Sequence, residues 1–127
     1  MLRWVLAIGM VAAVPAMAQA QDADAGKTIF NKCKACHQVG EGAKNAVGPV
    51  LNGVIGRKAG TAEGFNYSDA MKNSGITWDE ANFEEYIADP KKKVPGNKMV
   101  FVGIKDPQEA MDLYAYLNSF GPDGKPR

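Results

Sequence analysis

The sequence predicts a small all-α domain with three main helices, short helical turns and long loops. Three stretches carry helix start signals or apolar residues at helical spacing, and no convincing pair of strands occurs in the 127 residues. Glycine recurs without an apolar period between Val39 and Thr61, which indicates loop. Because so short a chain has little apolar core of its own, we expect these loops to wrap around something other than side chains.

The first two helices have start signals in the sequence. We expect Asp24 to cap the first, which runs through Ile29 to the cysteine motif described below. The second opens with the capping box Thr77-Trp78-Asp79-Glu80 and ends at Asp89-Pro90. Its apolar face consists of Phe83, Tyr86 and Ile87.

The third helix has the clearest start. Asp106 is the expected cap, with Pro107 at the first helical position and Glu109 at the third. Gly121-Pro122 ends the helix. Its apolar residues recur at helical spacing: Ala110, Leu113, Tyr114 and Leu117.

Two further segments lie between these helices. Ser68 to Lys72 is expected to form one short helical turn. Lys91 to Phe101 contains Pro95-Gly96 and is expected to be irregular.

Residues 1–20 have the pattern of a secretory signal peptide. Arg3 precedes an apolar run from Trp4 to Val14, and Pro15 and several small residues follow. The run is too short to span a bilayer comfortably, although an uncleaved anchor is the alternative. We therefore expect residues 21–127 to form one exported domain in the periplasm, with 122–127 as a frayed tail.

The charge balance excludes one broad class of function. Without Arg3, the remaining chain has equal numbers of basic and acidic side chains. Such a balance gives no indication of a nucleic-acid-binding protein.

The most specific motif is Cys33-Lys34-Ala35-Cys36-His37. Two cysteines about one turn apart, followed by histidine, can each add to one vinyl group of a single porphyrin, which is the attachment pattern of c-type haem. His37 then lies where an imidazole nitrogen can bind the iron. The alternatives for the cysteines are a disulfide and a thioredoxin-type redox pair. A zinc site would lack ligands, because the chain has no other cysteine or histidine.

A second iron ligand would have to come from another residue type. The absence of a second histidine excludes bis-histidine ligation and leaves methionine, lysine, a terminal amine, water or an open position. Of the candidates Met71, Met99 and Met111, Met99 is favoured because it follows Pro95-Gly96 in an irregular loop that can present a ligand. The alternative is a methionine that fills a gap in the core.

The sequence resembles class I cytochromes c from Gly26 to Phe120, most closely the bacterial cytochromes c2 of the mitochondrial cytochrome c kind. Besides the cysteine motif, the matching stretches are Val47-Gly48-Pro49, Gly56-Arg57-Lys58, Gly64-Phe65-Asn66-Tyr67, Asn73-Ser74-Gly75-Ile76-Thr77-Trp78, Asp89-Pro90-Lys91-Lys92 and Pro95-Gly96-Asn97-Lys98-Met99.

The resemblance implies the cytochrome c fold around one haem c, held by thioethers to Cys33 and Cys36 and ligated by His37 and Met99. It also implies that the carbonyl of Pro49 accepts the imidazole N–H of His37. The other cofactor-binding residues that it implies are Arg57, Tyr67 and Trp78 near the propionates, Tyr86 and Asn97 around the methionine, and Phe101 beside the exposed haem edge. Met71 departs from the asparagine usual in mitochondrial members, which predicts a more apolar pocket floor.

The resemblance implies a one-electron carrier rather than an enzyme, cycling between Fe(III) and Fe(II) haem. Its donor would be a bc1-type complex, and its acceptor a cytochrome c oxidase or a photosynthetic reaction centre. No small-molecule substrate is implied, and a monomer is expected. The alternatives are a peroxidase-like haem enzyme and a gas sensor, both with an open sixth iron position. The implied partner-docking residues are Lys32, Lys44, Lys91, Lys92, Lys98 and Lys105.

Overall fold

A computed structural model describes Gly9 and residues 21–127, so the predicted signal peptide lies outside the described residues except at Gly9. A 3-10 turn, Phe30–Lys32, continues the first helix toward the cysteine motif. Residues 21–127 contain no β-strand, only the isolated bridges Lys58–Thr77 and Phe120–Pro126. The prediction of a small all-α fold is confirmed. The α-helices are α1 Ala23–Ile29, α2 Asp69–Lys72, α3 Glu80–Ala88, α4 Pro90–Lys93 and α5 Pro107–Asn118.

Asp106 caps α5 as predicted, whereas the predicted caps of α1 and α3 are wrong by two residues each. The carboxylate of Asp106 accepts a hydrogen bond from the backbone N–H of Gln108, 2.9 Å away. Asp22, not Asp24, caps α1, and Asp24 lies in the first turn, where a negative charge favours a helix N-terminus. Asp79, not Thr77, caps α3, because the backbone of Thr77 pairs with Lys58 instead.

The segment predicted to be irregular from Lys91 to Phe101 begins with helical turn α4. Asp89 caps this turn by accepting a hydrogen bond from the N–H of Lys92, and Pro90 occupies the first helical position. Asp89-Pro90 therefore ends α3 and starts α4. The predicted short turn after Ser68 is present as α2, with the hydroxyl of Ser68 as its cap.

The first and last long helices are in backbone contact at Gly26. A Cβ atom added at Gly26 would lie 1.9 Å from the carbonyl oxygen of Asp112 in α5, so only glycine permits this approach. Beside the crossing, the rings of Phe30 and Tyr116 pack with centroids 5.6 Å apart. Leu113 has no exposed surface and lies at the centre of the core.

A buried carboxylate fixes the start of α1 against α5. Asp112 accepts hydrogen bonds from the backbone N–H of Asp22 at 2.9 Å and from the side-chain amide of Gln108 at 2.8 Å. Buried carboxylates are costly unless hydrogen-bonded, and these two donors satisfy one oxygen of Asp112.

The segment after α5 forms hydrogen bonds to the end of that helix, whereas the sequence predicted a frayed tail at 122–127. The backbone N–H of Arg127 donates to the carbonyl of Ser119 at 3.0 Å, and a tight turn closes between Gly121 and Lys125. Gly124 is buried. The segment 121–127, called the tail below, therefore folds back onto the end of α5.

We predict that Gly26→Ala destabilises the protein, because the added methyl group meets the backbone of α5. The expected loss is about 1–3 kcal/mol, the range for an overpacked core position. Guanidinium unfolding of the protein and the variant measures it. The control is Thr28→Ala at an exposed position of α1, which should change the free energy of unfolding by no more than about 0.5 kcal/mol. Equal effects of the two substitutions would contradict the prediction.

Candidate functional site

The cysteine motif folds as a turn that continues from the 3-10 segment. The backbone N–H groups of Cys36 and His37 both donate to the carbonyl of Cys33, at 3.1 and 2.9 Å. Both cysteines are half-buried and free, so they form no disulfide. Burial, and secondarily the nearby Cys36, raise the pKa of the Cys33 thiol to about 11. The turn thus presents two thiols and one imidazole from five consecutive residues.

His37 is held by the backbone of the loop that follows it. Its Nδ1 lies 2.8 Å from the carbonyl oxygen of Pro49, which can only accept a hydrogen bond. Burial lowers the pKa of His37, so the ring is neutral near pH 7. A neutral ring that carries its hydrogen on Nδ1 leaves a free lone pair on Nε2, which is the form that binds a metal.

Gly48 contacts the same ring and was not among the predicted site residues. A Cβ atom at Gly48 would lie 2.4 Å from Cε1 of His37, so the ring rests against a residue without a side chain. The backbone N–H of Gly48 donates to the carbonyl of Cys36 at 2.8 Å, which fixes this approach. Gly48 lies in Val47-Gly48-Pro49, one of the stretches that resemble class I cytochromes c. The sequence alone, however, does not show what a glycine contacts.

Met99 is positioned by the side chains of two predicted site residues. The hydroxyl of Tyr86 lies 3.7 Å from the sulfur of Met99. The side-chain oxygen of Asn97 accepts a hydrogen bond from the backbone N–H of Met99 at 2.8 Å. The amide of Asn97 also donates to the carbonyls of Pro90 and Val94, which ties the loop to α4. Burial raises the pKa of Tyr86 to about 12, so its hydroxyl stays protonated at neutral pH.

Arg57, Tyr67 and Trp78 are brought together by backbone pairing and electrostatics. The N–H of Trp78 donates to the carbonyl of Arg57 at 2.9 Å, which places the two residues side by side. Burial lowers the pKa of Arg57, and the nearby Tyr67 partly opposes that shift. The hydroxyl of Tyr67 accepts from the N–H of Ala62 at 3.0 Å, which leaves its own hydrogen to donate.

The guanidinium of Arg57 is only partly satisfied by protein groups. Its Nη1 donates to the carbonyls of Val50 and Asn52, both at 3.2 Å. Its Nε is buried and has no partner among residues 21–127. A buried, unpaired donor on a cation is costly, and an anionic acceptor would satisfy it. A porphyrin propionate is such an acceptor, so these residues fit the haem that the motif indicates.

A series of contacts connects the His37 side of the site to the Met99 side. Pro49 is followed by Val50, whose carbonyl accepts from Arg57, and Arg57 pairs with Trp78. The ring of Trp78 packs against that of Tyr86 with centroids 4.8 Å apart. Tyr86 then reaches the sulfur of Met99. The two predicted ligands therefore belong to one packed unit.

Phe101 and Met71 are both partly buried against the hydrophobic core. Phe101 alternates with two exposed neighbours, Val100 and Val102, in the extended segment after Met99. This packing agrees with a place at the edge of the core, while the role of Phe101 toward a haem stays a prediction.

The six predicted docking lysines are all exposed, but two of them have partners. Lys32 lies 3.6 Å from a carboxylate oxygen of Glu109, and the ammonium of Lys105 donates to the carbonyl of Ala88 at 2.5 Å. Lys93, which was not predicted, is half-buried and pairs with Glu85. The other exposed lysines of the predicted set are Lys44, Lys91, Lys92 and Lys98.

Comparison with known proteins identifies the family. The family model for cytochrome c matches residues 23–121. A cytochrome c2 from Rhodoplanes tepidamans is 67% identical over 105 residues, which cover 83% of this chain and 98% of the relative. A cytochrome c2 from Blastochloris viridis is 56% identical over 124 residues, or 98% of each chain. The solved structure of cytochrome c2 from Rhodospirillum centenum gives a TM-score of 0.76 at 42% identity, covering 80% of this chain and 99% of that one. The chain belongs to the cytochrome c family.

Membership confirms the predicted class of function. The protein is an electron carrier rather than an enzyme, and the cofactor that its family implies is covalent haem c. No helix among residues 21–127 is long and apolar enough to cross a membrane.

We predict that Gly48→Ala displaces the imidazole of His37, because the new methyl group would overlap the ring. The expected cost is about 1–3 kcal/mol of unfolding free energy, with a changed visible spectrum. Chemical unfolding followed at the haem absorbance measures both. Val47→Ala is the matched control, because Val47 is the preceding residue and is 76% exposed. A Gly48→Ala protein with the stability and spectrum of this control would disprove the contact.

Proposed function

We propose that the protein is a soluble, periplasmic one-electron carrier whose single haem c is attached through Cys33 and Cys36 and ligated by His37 and Met99. The observation that carries this proposal is the hydrogen bond between Nδ1 of His37 and the carbonyl of Pro49. It fixes the tautomer that leaves Nε2 free to bind iron, in the only histidine of the chain.

The chain's own residues set the conditions for electron transfer. When bound, the haem supplies an iron that gains and loses one electron, and a histidine–methionine ligand pair favours a high potential. Tyr86 and Asn97 hold Met99 from two directions, and Pro49 and Gly48 hold His37. Because both ligands are braced, little rearrangement is expected on electron transfer, so transfer is expected to be fast.

Arg57, Tyr67 and Trp78 would hold the propionates. The free Nε of Arg57 and the hydroxyl hydrogen of Tyr67 are donors available for anionic oxygens. An ion pair inside the protein is stronger than one in water, because the local dielectric constant is lower. Binding the propionates would thus remove the cost of leaving Arg57 partly unsatisfied.

The two alternatives, a peroxidase-like enzyme and a gas sensor, both need an accessible sixth position. Peroxidase chemistry also needs an acid–base group on that side, and the only histidine already lies on the other. The positions of Tyr86 and Asn97 around Met99 favour a closed site instead. An electron carrier therefore accounts for more of the observed contacts than an enzyme or a gas sensor does.

Docking to membrane redox complexes through lysines is the second part of the proposal. Lys44, Lys91, Lys92 and Lys98 are exposed and, together with the partly paired Lys32 and Lys105, would face acidic surfaces of a bc1-type donor and of an oxidase or reaction-centre acceptor. A chain of nearly neutral total charge can still orient itself if its positive charges gather on one face.

Export to the periplasm rests on the N-terminal pattern. Residues 1–20 have a basic start, an apolar run and a small-residue cleavage pattern. The alignment with the Blastochloris viridis relative covers 98% of both chains, so it extends into this segment. Covalent attachment of haem c to free thiols is also compatible with an exported protein.

We predict that Met99→Ala opens the sixth iron position. The native protein should give sharp reduced α and β bands and the weak long-wavelength band of methionine-bound ferric haem, and the variant should lose that band. Its apparent affinity for cyanide or CO should rise by roughly 100-fold, because methionine no longer occupies the site. Met111→Leu in α5 is the control and should keep the band. Rapid, tight CO binding by the native protein would instead support the enzyme or sensor alternatives.

We predict that electron transfer to the membrane partner depends on charge. The bimolecular rate should fall by roughly tenfold or more from low to high ionic strength, as it does for electrostatically steered association. Lys92→Glu should lower the rate at low salt, whereas the exposed Lys58→Glu, outside the predicted docking set, should lower it much less. Stopped-flow kinetics with a bc1-type complex measures these rates. A rate independent of salt would disprove electrostatic docking without affecting the haem assignment.

A further inference from the structure

The tail, 121–127, packs against the loop that supports His37. A Cβ atom at Gly124 would lie 2.2 Å from the carbonyl oxygen of Gly40 and 2.7 Å from the N of Glu41, so the two backbones are in direct contact. Gly124 has a φ of 80°, a conformation that glycine adopts without strain. At a second point, a Cβ atom at Gly53 would lie 2.9 Å from Cα of Pro122.

Arg127 makes the third contact and joins the loop to α5. Its Nη2 donates to the carbonyl of Ile55 at 2.8 Å and to the side-chain oxygen of Asn118 at 3.1 Å. Its Nε donates to the backbone carbonyl of Asn118 at 2.9 Å. A guanidinium at this end of α5 also interacts favourably with the helix dipole. One side chain therefore bridges the last turn of α5 and residue 55.

The tail contacts the loop 40–55, which contains the residues that hold His37. Asn52 and Gly40 form two reciprocal hydrogen bonds, at 2.8 and 2.9 Å, which close the loop around Pro49. The carbonyl of Asn52 accepts from Arg57. The tail contacts Gly40, Gly53 and Ile55, so it lies against both ends of the segment that contains Pro49.

We propose that Gly124 and Arg127 are positioning residues for His37: the tail braces the loop 40–55 and thereby keeps the carbonyl of Pro49 on the imidazole. The loop has no helix or strand of its own, so its position depends on contacts of this kind. A hydrogen bond from Nδ1–H makes the imidazole a more basic ligand, which favours ferric iron. Breaking the contacts between the tail and the loop should weaken the hydrogen bond between His37 and Pro49 and raise the reduction potential of the haem. The electronic part of this inference rests on the proposed ligation by His37.

The experiment compares three variants of the haem-containing protein by amide hydrogen exchange. Arg127→Ala removes the bridge to Ile55, and Gly124→Ala forces the tail away without a change of charge. Lys125→Ala is the matched control, because it also removes one positive charge, and the side chain of Lys125 makes no hydrogen bond or ion pair within residues 21–127. The reporter amides are those of Gly48, Leu51 and Val54 in the loop. They donate to the carbonyls of Cys36, Gln38 and Leu51, respectively.

The expected result is local. The reporter amides should exchange roughly tenfold faster in Arg127→Ala, the effect of losing a hydrogen bond to a charged group. They should also exchange faster in Gly124→Ala, because the added methyl group meets the backbone of Gly40. The amides of Leu113 in α5 and of Met99 should not change, and Lys125→Ala should match the parent protein. At a fixed applied potential, the ratio of ferrous to ferric protein should rise in the first two variants relative to this control.

Three outcomes would overturn the proposal. Equal acceleration at Leu113 would mean that the tail contributes only global stability, and unchanged reporter amides would mean that it braces nothing. Faster exchange of the reporter amides with an unchanged ferrous-to-ferric ratio would show that the tail does not position His37. The visible spectrum of the parent protein tests the haem proposal separately, so failure of the brace and failure of the proposed function are distinguishable.

Discussion

The contact between His37 and the Gly48-Pro49 backbone is the constraint on which the rest of the site depends. A lone histidine offers two ring nitrogens, and an acceptor fixed at Nδ1 leaves Nε2 as the one available to a metal. Pro49 provides that acceptor at 2.8 Å, and Gly48 lets the backbone come close enough to the ring for the bond to form. Both groups belong to a loop, so the ligand is only as well positioned as the loop itself.

The loop is held by polar contacts rather than by regular structure. Arg57 donates to the carbonyls of Val50 and Asn52, and Asn52 bonds reciprocally with Gly40. Arg57 also pairs with Trp78, which packs on Tyr86 beside Met99. Arg57 therefore contributes to both sides of the site, through its guanidinium on the His37 side and through its backbone carbonyl on the Met99 side. A change of its side chain would act on the loop that holds His37.

The sequence predicted most of what depends on local chemistry. The cysteine motif, the cap and proline that start α5 and the apolar face of α3 are all encoded in a few neighbouring residues, and the structure has them where expected. The misplaced caps of α1 and α3 show the limit, since acidic or hydroxyl residues two positions apart compete for one role. Which of Thr77 and Asp79 caps α3 is decided by the tertiary pairing of Thr77 with Lys58.

The residues that sequence reasoning missed act through distant contacts. Gly48 is one of fourteen glycines, and its special role exists only because the ring of His37 rests against it. The tail has the composition of a frayed end, yet Arg127 reaches a carbonyl 72 residues away in the chain. Neither contact leaves a pattern of spacing or composition, because the partner lies far off in sequence.

In the proposed haem site, the unpaired Nε of Arg57 would couple folding to haem binding. Burying a cation is unfavourable unless its donors are satisfied, and two backbone carbonyls satisfy only part of this guanidinium. A propionate at Nε would complete the set, so part of the free energy of binding the haem would go into folding the segments around Arg57. The covalent attachment proposed at Cys33 and Cys36 would then have a structural reason. It would keep the group that completes the core from dissociating, which a chain with so much loop could not otherwise ensure.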